Sequence, residues 1–131
     1  MRTVSDIESF LKDKTLAYQD FGNGLFIVTD ENSGLRNLAI KVEGDVVVFN
    51  LRVMDTPEAS ADGREALFER LLRLNGTGLL HCAFSIQDDG IYLQAALPLP
   101  NLDPNEMQAV LDDMGLAASQ HVPQLQTSST N

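Results

Sequence analysis

What most constrains this chain is the order of its patterned segments around one leucine-rich stretch, Gly63 to Asn75. Leu67, Leu71 and Leu74 recur there at helical spacing, and Phe68 and Leu72 widen the apolar stripe. A short helix and several strand-like runs come before it; a tight hairpin and a last helix come after it. That order predicts an α+β fold, a mostly antiparallel sheet with helices in the sequence α-β-β-β(-β)-α-β-β-α.

Each segment carries its own signal. Ser5-Asp6-Ile7-Glu8 fits a capping box that opens a helix ending near Lys12, with Val4, Ile7, Phe10 and Leu11 on one face. Leu16 to Phe21 and Leu25 to Thr29 are strand-like runs on either side of Gly22-Asn23-Gly24, residue types that accept positive φ. After a polar turn, Asp30 to Arg36, a second hairpin joins Asn37 to Val42 with Val46 to Val53. In the latter strand Val47, Phe49, Leu51 and Val53 form one face, and Val48, Asn50 and Arg52 the other. Asp55 to Asp62 reads as an exposed connection. Within the central helix Glu69 and Arg73 are spaced to pair, and Asn75-Gly76-Thr77-Gly78 is expected to stop it through a left-handed glycine cap.

Leu79 to Gln87 and Ile91 to Leu97 flank Asp88-Asp89-Gly90, the third hairpin signal, with Leu80, Cys82, Phe84 and Ile86 in one row. Asp103 as cap, Pro104 at the first position and Glu106 at the third open the last helix. Met107, Val110, Leu111 and Met114 are its apolar face. Asp112 and Asp113 have two readings. Either the helix runs on past Gly115 through Ala117 and Ala118, or the two carboxylates form an acidic surface for a basic partner. Residues 1–118 are expected to form one domain, and the Gln, Ser and Thr-rich residues 119–131 a flexible tail.

Charge and composition exclude several function classes. Lys and Arg number 9 against 19 Asp and Glu, for a formal net charge of −10. Such a field repels phosphate backbones and anionic lipid heads, so no nucleic-acid partner is expected. No apolar run approaches the ~20 residues that span a bilayer, so no membrane insertion is expected either. The start, Met1-Arg2-Thr3-Val4-Ser5-Asp6, lacks the apolar core of a signal peptide, which predicts a cytoplasmic protein.

Candidate chemistry is sparse. A single cysteine, Cys82, excludes an intramolecular disulfide and a cysteine-rich zinc site. His81 and Cys82, read as neighbours on a strand, point to opposite faces and do not form a nucleophile pair. His81 and His121 have no ligand partner at helical spacing, so no metal site is predicted. Gly22-Asn23-Gly24 and Gly76-Thr77-Gly78 lack the following lysine of a phosphate loop. No cofactor and no enzymatic activity are expected.

The segments Leu71-Leu72-Arg73-Leu74-Asn75, Cys82-Ala83-Phe84-Ser85-Ile86, Asp89-Gly90-Ile91-Tyr92-Leu93 and Leu97-Pro98-Leu99-Pro100 stand in an order that resembles a known family. The chain is similar over about residues 3–118 to the class I type III secretion chaperones, the CesT-like Tir-chaperone family, and to the YbjN-like domains that share their fold. The resemblance implies a non-catalytic sandwich that holds a segment of a client or partner protein. It implies a homodimer built on the middle helix, for which Leu67, Phe68, Leu71 and Leu72 are the candidate residues. It implies client binding against sheet and first helix, for which Val48, Asn50, Arg52 and Phe10 are the candidates. The weakly apolar first helix and polar tail depart from dedicated secretion chaperones. The alternatives are a regulatory adaptor of a stress or envelope system that binds one folded partner, and an enzyme with a site of scattered carboxylates.

Overall fold

A computed structural model describes residues 2–88 and 90–125. Its elements, in chain order, are α1 (Val4–Asp13), β1 (Ala17–Gly22), β2 (Leu25–Asp30), a 3-10 turn (Glu31–Ser33), β3 (Leu35–Glu43), β4 (Val46–Asp55), α2 (Arg64–Thr77), β5 (Ala83–Gln87), β6 (Gly90–Pro98) and α3 (Pro104–Gln120). The six strands form one antiparallel sheet in the order β1-β2-β3-β4-β6-β5. The α+β architecture read from the sequence is the one observed.

Period-two alternation decides which side of the sheet is covered. Phe26 and Val28 of β2, Leu38 and Ile40 of β3, Val47 and Phe49 of β4, and Ile91 and Leu93 of β6 have no exposed surface. They share one core with Ile7, Phe10 and Leu11 of α1, Leu67 and Leu71 of α2, and Met107, Val110 and Met114 of α3. All three helices therefore serve a single face of the sheet. The opposite face is open, with Ile27, Ala39, Val48 and Asn50 only half-buried. Removing a side chain such as Phe49 from the covered side costs about 3–5 kcal/mol.

The first hairpin turns where the sequence places it, with Asn23 at φ 56° between β1 and β2. Several boundaries differ. The first helix is capped two residues early: the Thr3 N–H donates to Asp6 Oδ2 at 2.7 Å, so Thr-x-x-Asp serves instead of the Ser5 box. The central helix runs through Gly76, and Gly78 caps it at φ −102° rather than in the left-handed region. A helix costs little to extend through one exposed glycine, about 1 kcal/mol.

The expected strand from Leu79 shortens to Ala83–Gln87, because residues 79–82 are held by a side chain described below instead of a ladder. At the far end, α3 continues through Gly115, the first of the two readings of its acidic pair. A further helical turn over residues 122–125 buries Leu125 completely, so packed chain reaches beyond the expected boundary at 118. The tail residues 126–131, and Asp89 of the third hairpin, lie outside the described residues.

Candidate protein-binding surface

Two regions collect the sequence candidates: the sheet edge formed by α2 with β5, and the open face of the sheet. On α2, Leu67 and Leu71 turn inward and are buried in their own chain. They cannot meet a partner without unpacking that core. Phe68 is half-buried under the Arg64 guanidinium, which lies 4.6 Å from the ring centroid. Leu72 is the member of the four left in water, 71% exposed. Glu69 and Arg73 flank it and pair at 3.7 Å, both largely solvated.

The same edge bears two further apolar side chains. Leu80, in the loop between α2 and β5, is 86% exposed, and Ile86 on β5 is 50% exposed. The sequence spacing put both in one row with Cys82 and Phe84. Cys82 and Phe84 are buried, but Leu80 lies outside the strand, and Ile86 sits on a strand with no neighbour beyond it. Hydrophobicity alone could not distinguish an edge strand from an inner one.

That edge is closed to strand addition at one point. Phe84 donates its N–H to Asn75 Oδ1 at 2.7 Å and accepts from Asn75 Nδ2 at 3.1 Å. The Asn75 amide thus takes the place of a neighbouring strand. On the open face, Val48, Asn50 and Arg52 project together as expected. Asn50 exchanges amide hydrogen bonds with Gln87 at 3.1 and 3.0 Å. Arg52 donates to Asp55 at 2.6 Å and to the Tyr92 hydroxyl at 3.2 Å. Phe10 does not join them: it is 6% exposed and belongs to the core on the covered side.

Asp113 does not form the acidic surface that was the second reading of the pair. It is 8% exposed, and its Oδ2 accepts the N–H groups of Leu80 (3.1 Å), His81 (2.7 Å) and Cys82 (3.1 Å). The Cys82 thiol donates to the same oxygen at 3.2 Å. Burial pushes the carboxyl upward, but these four bonds outweigh it and hold Asp113 below the usual carboxylate range. The same burial, with the neighbouring carboxylate, pushes the Cys82 thiol well above its ordinary range. Its neighbour Asp112 is exposed and takes the Gln108 amide. Helical spacing sets Asp113 on the inner side of α3 with Val110 and Ala117, which signals that the charge needs partners without saying which.

Among the described residues, no group of three or more His, Cys, Asp or Glu side chains is placed to hold a metal ion. Among the same residues, no helix is long and apolar enough to cross a membrane. A groove of about 500 Å³ lies between α1, the 3-10 turn and α3, lined by Lys14, Leu16, Asp30, Leu35, Asp112 and Leu116. Its carboxylates bond locally, Asp30 to the Ser33 hydroxyl and Asp112 to Gln108.

A six-stranded sheet with helices on one face, an open opposite face and apolar side chains along one edge defines a chaperone-like, protein-binding module. The chain belongs to the CesT_Tir_1 family, which matches it over residues 1–131. Two solved structures share its fold. The structure of the heterodimeric ExoU–SpcU complex from the type III secretion system of Pseudomonas aeruginosa contains a chain with TM-score 0.63 at 15% identity, the match covering 92% of this chain and 98% of that one. YbjN, described as a putative transcription regulator from E. coli, has TM-score 0.65 at 12% identity, covering 99% of this chain and 96% of its own. No curated protein matches the sequence.

Proposed function

We propose that this protein is a cytoplasmic, non-catalytic homodimer that holds a segment of a client protein. The observation that carries the reading is Leu72, 71% exposed on the outer flank of α2 beside the solvated Glu69–Arg73 pair. A two-fold pairing of α2 helices would bury Leu72 against its symmetry mate and set Glu69 of each copy near Arg73 of the other. The client then lies on the open face, along Val48, Asn50 and Arg52, where strand side chains present a half-apolar surface without a helix over it. The ExoU–SpcU complex, a heterodimer within a secretion system, supports a protein as the partner class.

Light scattering of the wild type tests the dimer, and a mass near 14.3 kDa at micromolar concentration ends it. Leu72→Glu should give a folded monomer. For the client, a cytosolic pull-down compares wild type with Val48→Glu. A protein retained by the first and lost by the second places binding on the open face; identical capture by both removes that placement.

One observation favours a second reading, an adaptor that binds one folded partner. Extended segments commonly bind by adding a strand to a sheet edge, and Asn75 occupies the backbone groups of Phe84 that such a strand would need. A partner at this edge must be held by side-chain packing, which suits a folded surface. YbjN's description as a putative transcription regulator is compatible with that role.

A further inference from the structure

We propose that Asp113 is a latch that keeps the entry to β5 closed, and that adding a proton to its carboxylate releases residues 79–82 while the sheet stays folded. The loop has few other anchors. Leu79 and Cys82 are buried at its two ends, but Leu80 is 86% exposed and the His81 side chain is exposed as well. Its three successive N–H groups from Leu80 to Cys82 converge on one oxygen, Oδ2 of Asp113, 31 to 33 residues further along the chain. This is the concave amide arrangement that selects an anion, filled here by the protein's own carboxylate.

Protonation removes the charge that those donors share. A neutral carboxyl gives its remaining lone pairs weaker acceptor strength and turns one oxygen into a donor, in a site that already supplies four donors. The loop N–H groups then share a weaker, neutral acceptor. The groups on the Asp113 carboxylate are the N–H groups of Leu80, His81 and Cys82 and the Cys82 thiol, while Asp112, next to it on α3, takes the Gln108 amide instead. On α2, Arg70 is bonded to Gln124 and Arg73 paired with Glu69, and His121 lies beside Gly78.

The sign follows from the depressed carboxyl. A group lowered in the folded state contributes stability above its unfolded value of about 3.9, and that contribution is lost as pH falls through the lower, folded value. The latch is therefore closed at neutral pH and opens below the ordinary carboxylate range. That the loop borders a partner surface rests on the reading of α2 given above; the latch does not.

Amide hydrogen exchange on the full chain decides it. In Asp113→Asn at neutral pH, protection at Leu80, His81 and Cys82 should fall at least tenfold, with Phe26 and Phe49 unchanged. Wild type should lose protection at the same three amides reversibly as pH drops below about 3.9, ahead of the sheet. Cys82→Ala should keep them protected, because the three N–H bonds do not need the thiol. Wild-type protection in Asp113→Asn, or acid opening of loop and sheet together, overturns the latch. If Asp113→Asn does not fold, the acid series on the wild type decides alone. The mass of the wild type tests the α2 surface separately, so either proposal can fail without the other.

Discussion

Asn75 and Phe84 close a two-bond ring, the side-chain amide of the first reading both backbone polar groups of the second at 2.7 and 3.1 Å. One residue in the last turns of a helix thereby finishes a sheet edge that no further strand covers among the described residues. It also fixes α2 against β5, so the position of Leu72, one turn before Asn75, depends on this contact.

Asn75→Ala should leave the N–H and C=O of Phe84 half-buried and unpaired, at a cost of about 1–3 kcal/mol. Urea unfolding should show a lower midpoint with an unchanged slope. Asn75→Asp keeps the acceptor and loses the donor, so its loss should be smaller. A wild-type midpoint for Asn75→Ala would mean the ring contributes nothing.

Two helical glycines should respond in opposite directions. A Cβ at Gly115 would sit 3.1 Å from the Ser33 carbonyl oxygen, where α3 crosses the 3-10 turn, whereas nothing lies within 4 Å of one at Gly76. Gly115→Val should cost about 1–3 kcal/mol through overpacking. Gly76→Ala should add about 0.5–1 kcal/mol from helix propensity. Both are best measured in the Leu72→Glu background, so that association does not enter. Equal effects at the two sites would contradict the packing described.

The Cys82 thiol should be inert in the native state. Burial and the Asp113 carboxylate push its ionisation upward, so the thiolate stays scarce through pH 8.5 and folded protein should react with alkylating agents far more slowly than unfolded protein. Cys82→Ala should cost no more than a packing loss. Rapid modification of the folded protein at pH 7 would refute this.

The fold was legible because its signals are local and repeated. Val46 to Val53 alternates by side, Gly22-Asn23-Gly24 can turn only one way, and Asp103-Pro104-Asn105-Glu106 caps α3 as its residue types demand. The entry to β5 was not legible. Leu79 to Cys82 is apolar enough for a strand, but the N–H groups of Leu80, His81 and Cys82 are claimed by Asp113 from more than 30 residues away. No window of local sequence contains that contact.

The candidate surface was read in part for the same reason. Helical spacing placed Leu72 on a second flank of α2, but spacing alone could not say that Phe10 would be sealed by the core. The sequence pointed to Ser5 as the cap of α1, and the structure uses Thr3, whose N–H is paired with Asp6.

The strand order has a consequence for the protein while it is being made. β4 lies in the middle of the finished sheet, yet its partner β6 ends at Pro98, more than forty residues after β4 itself is complete. An emerging chain therefore carries Val46 to Asp55 as a bare, valine-rich edge until most of the polypeptide has left the ribosome. Truncations that stop before Gly90 should accordingly be aggregation-prone, and those that stop after Leu125 should not.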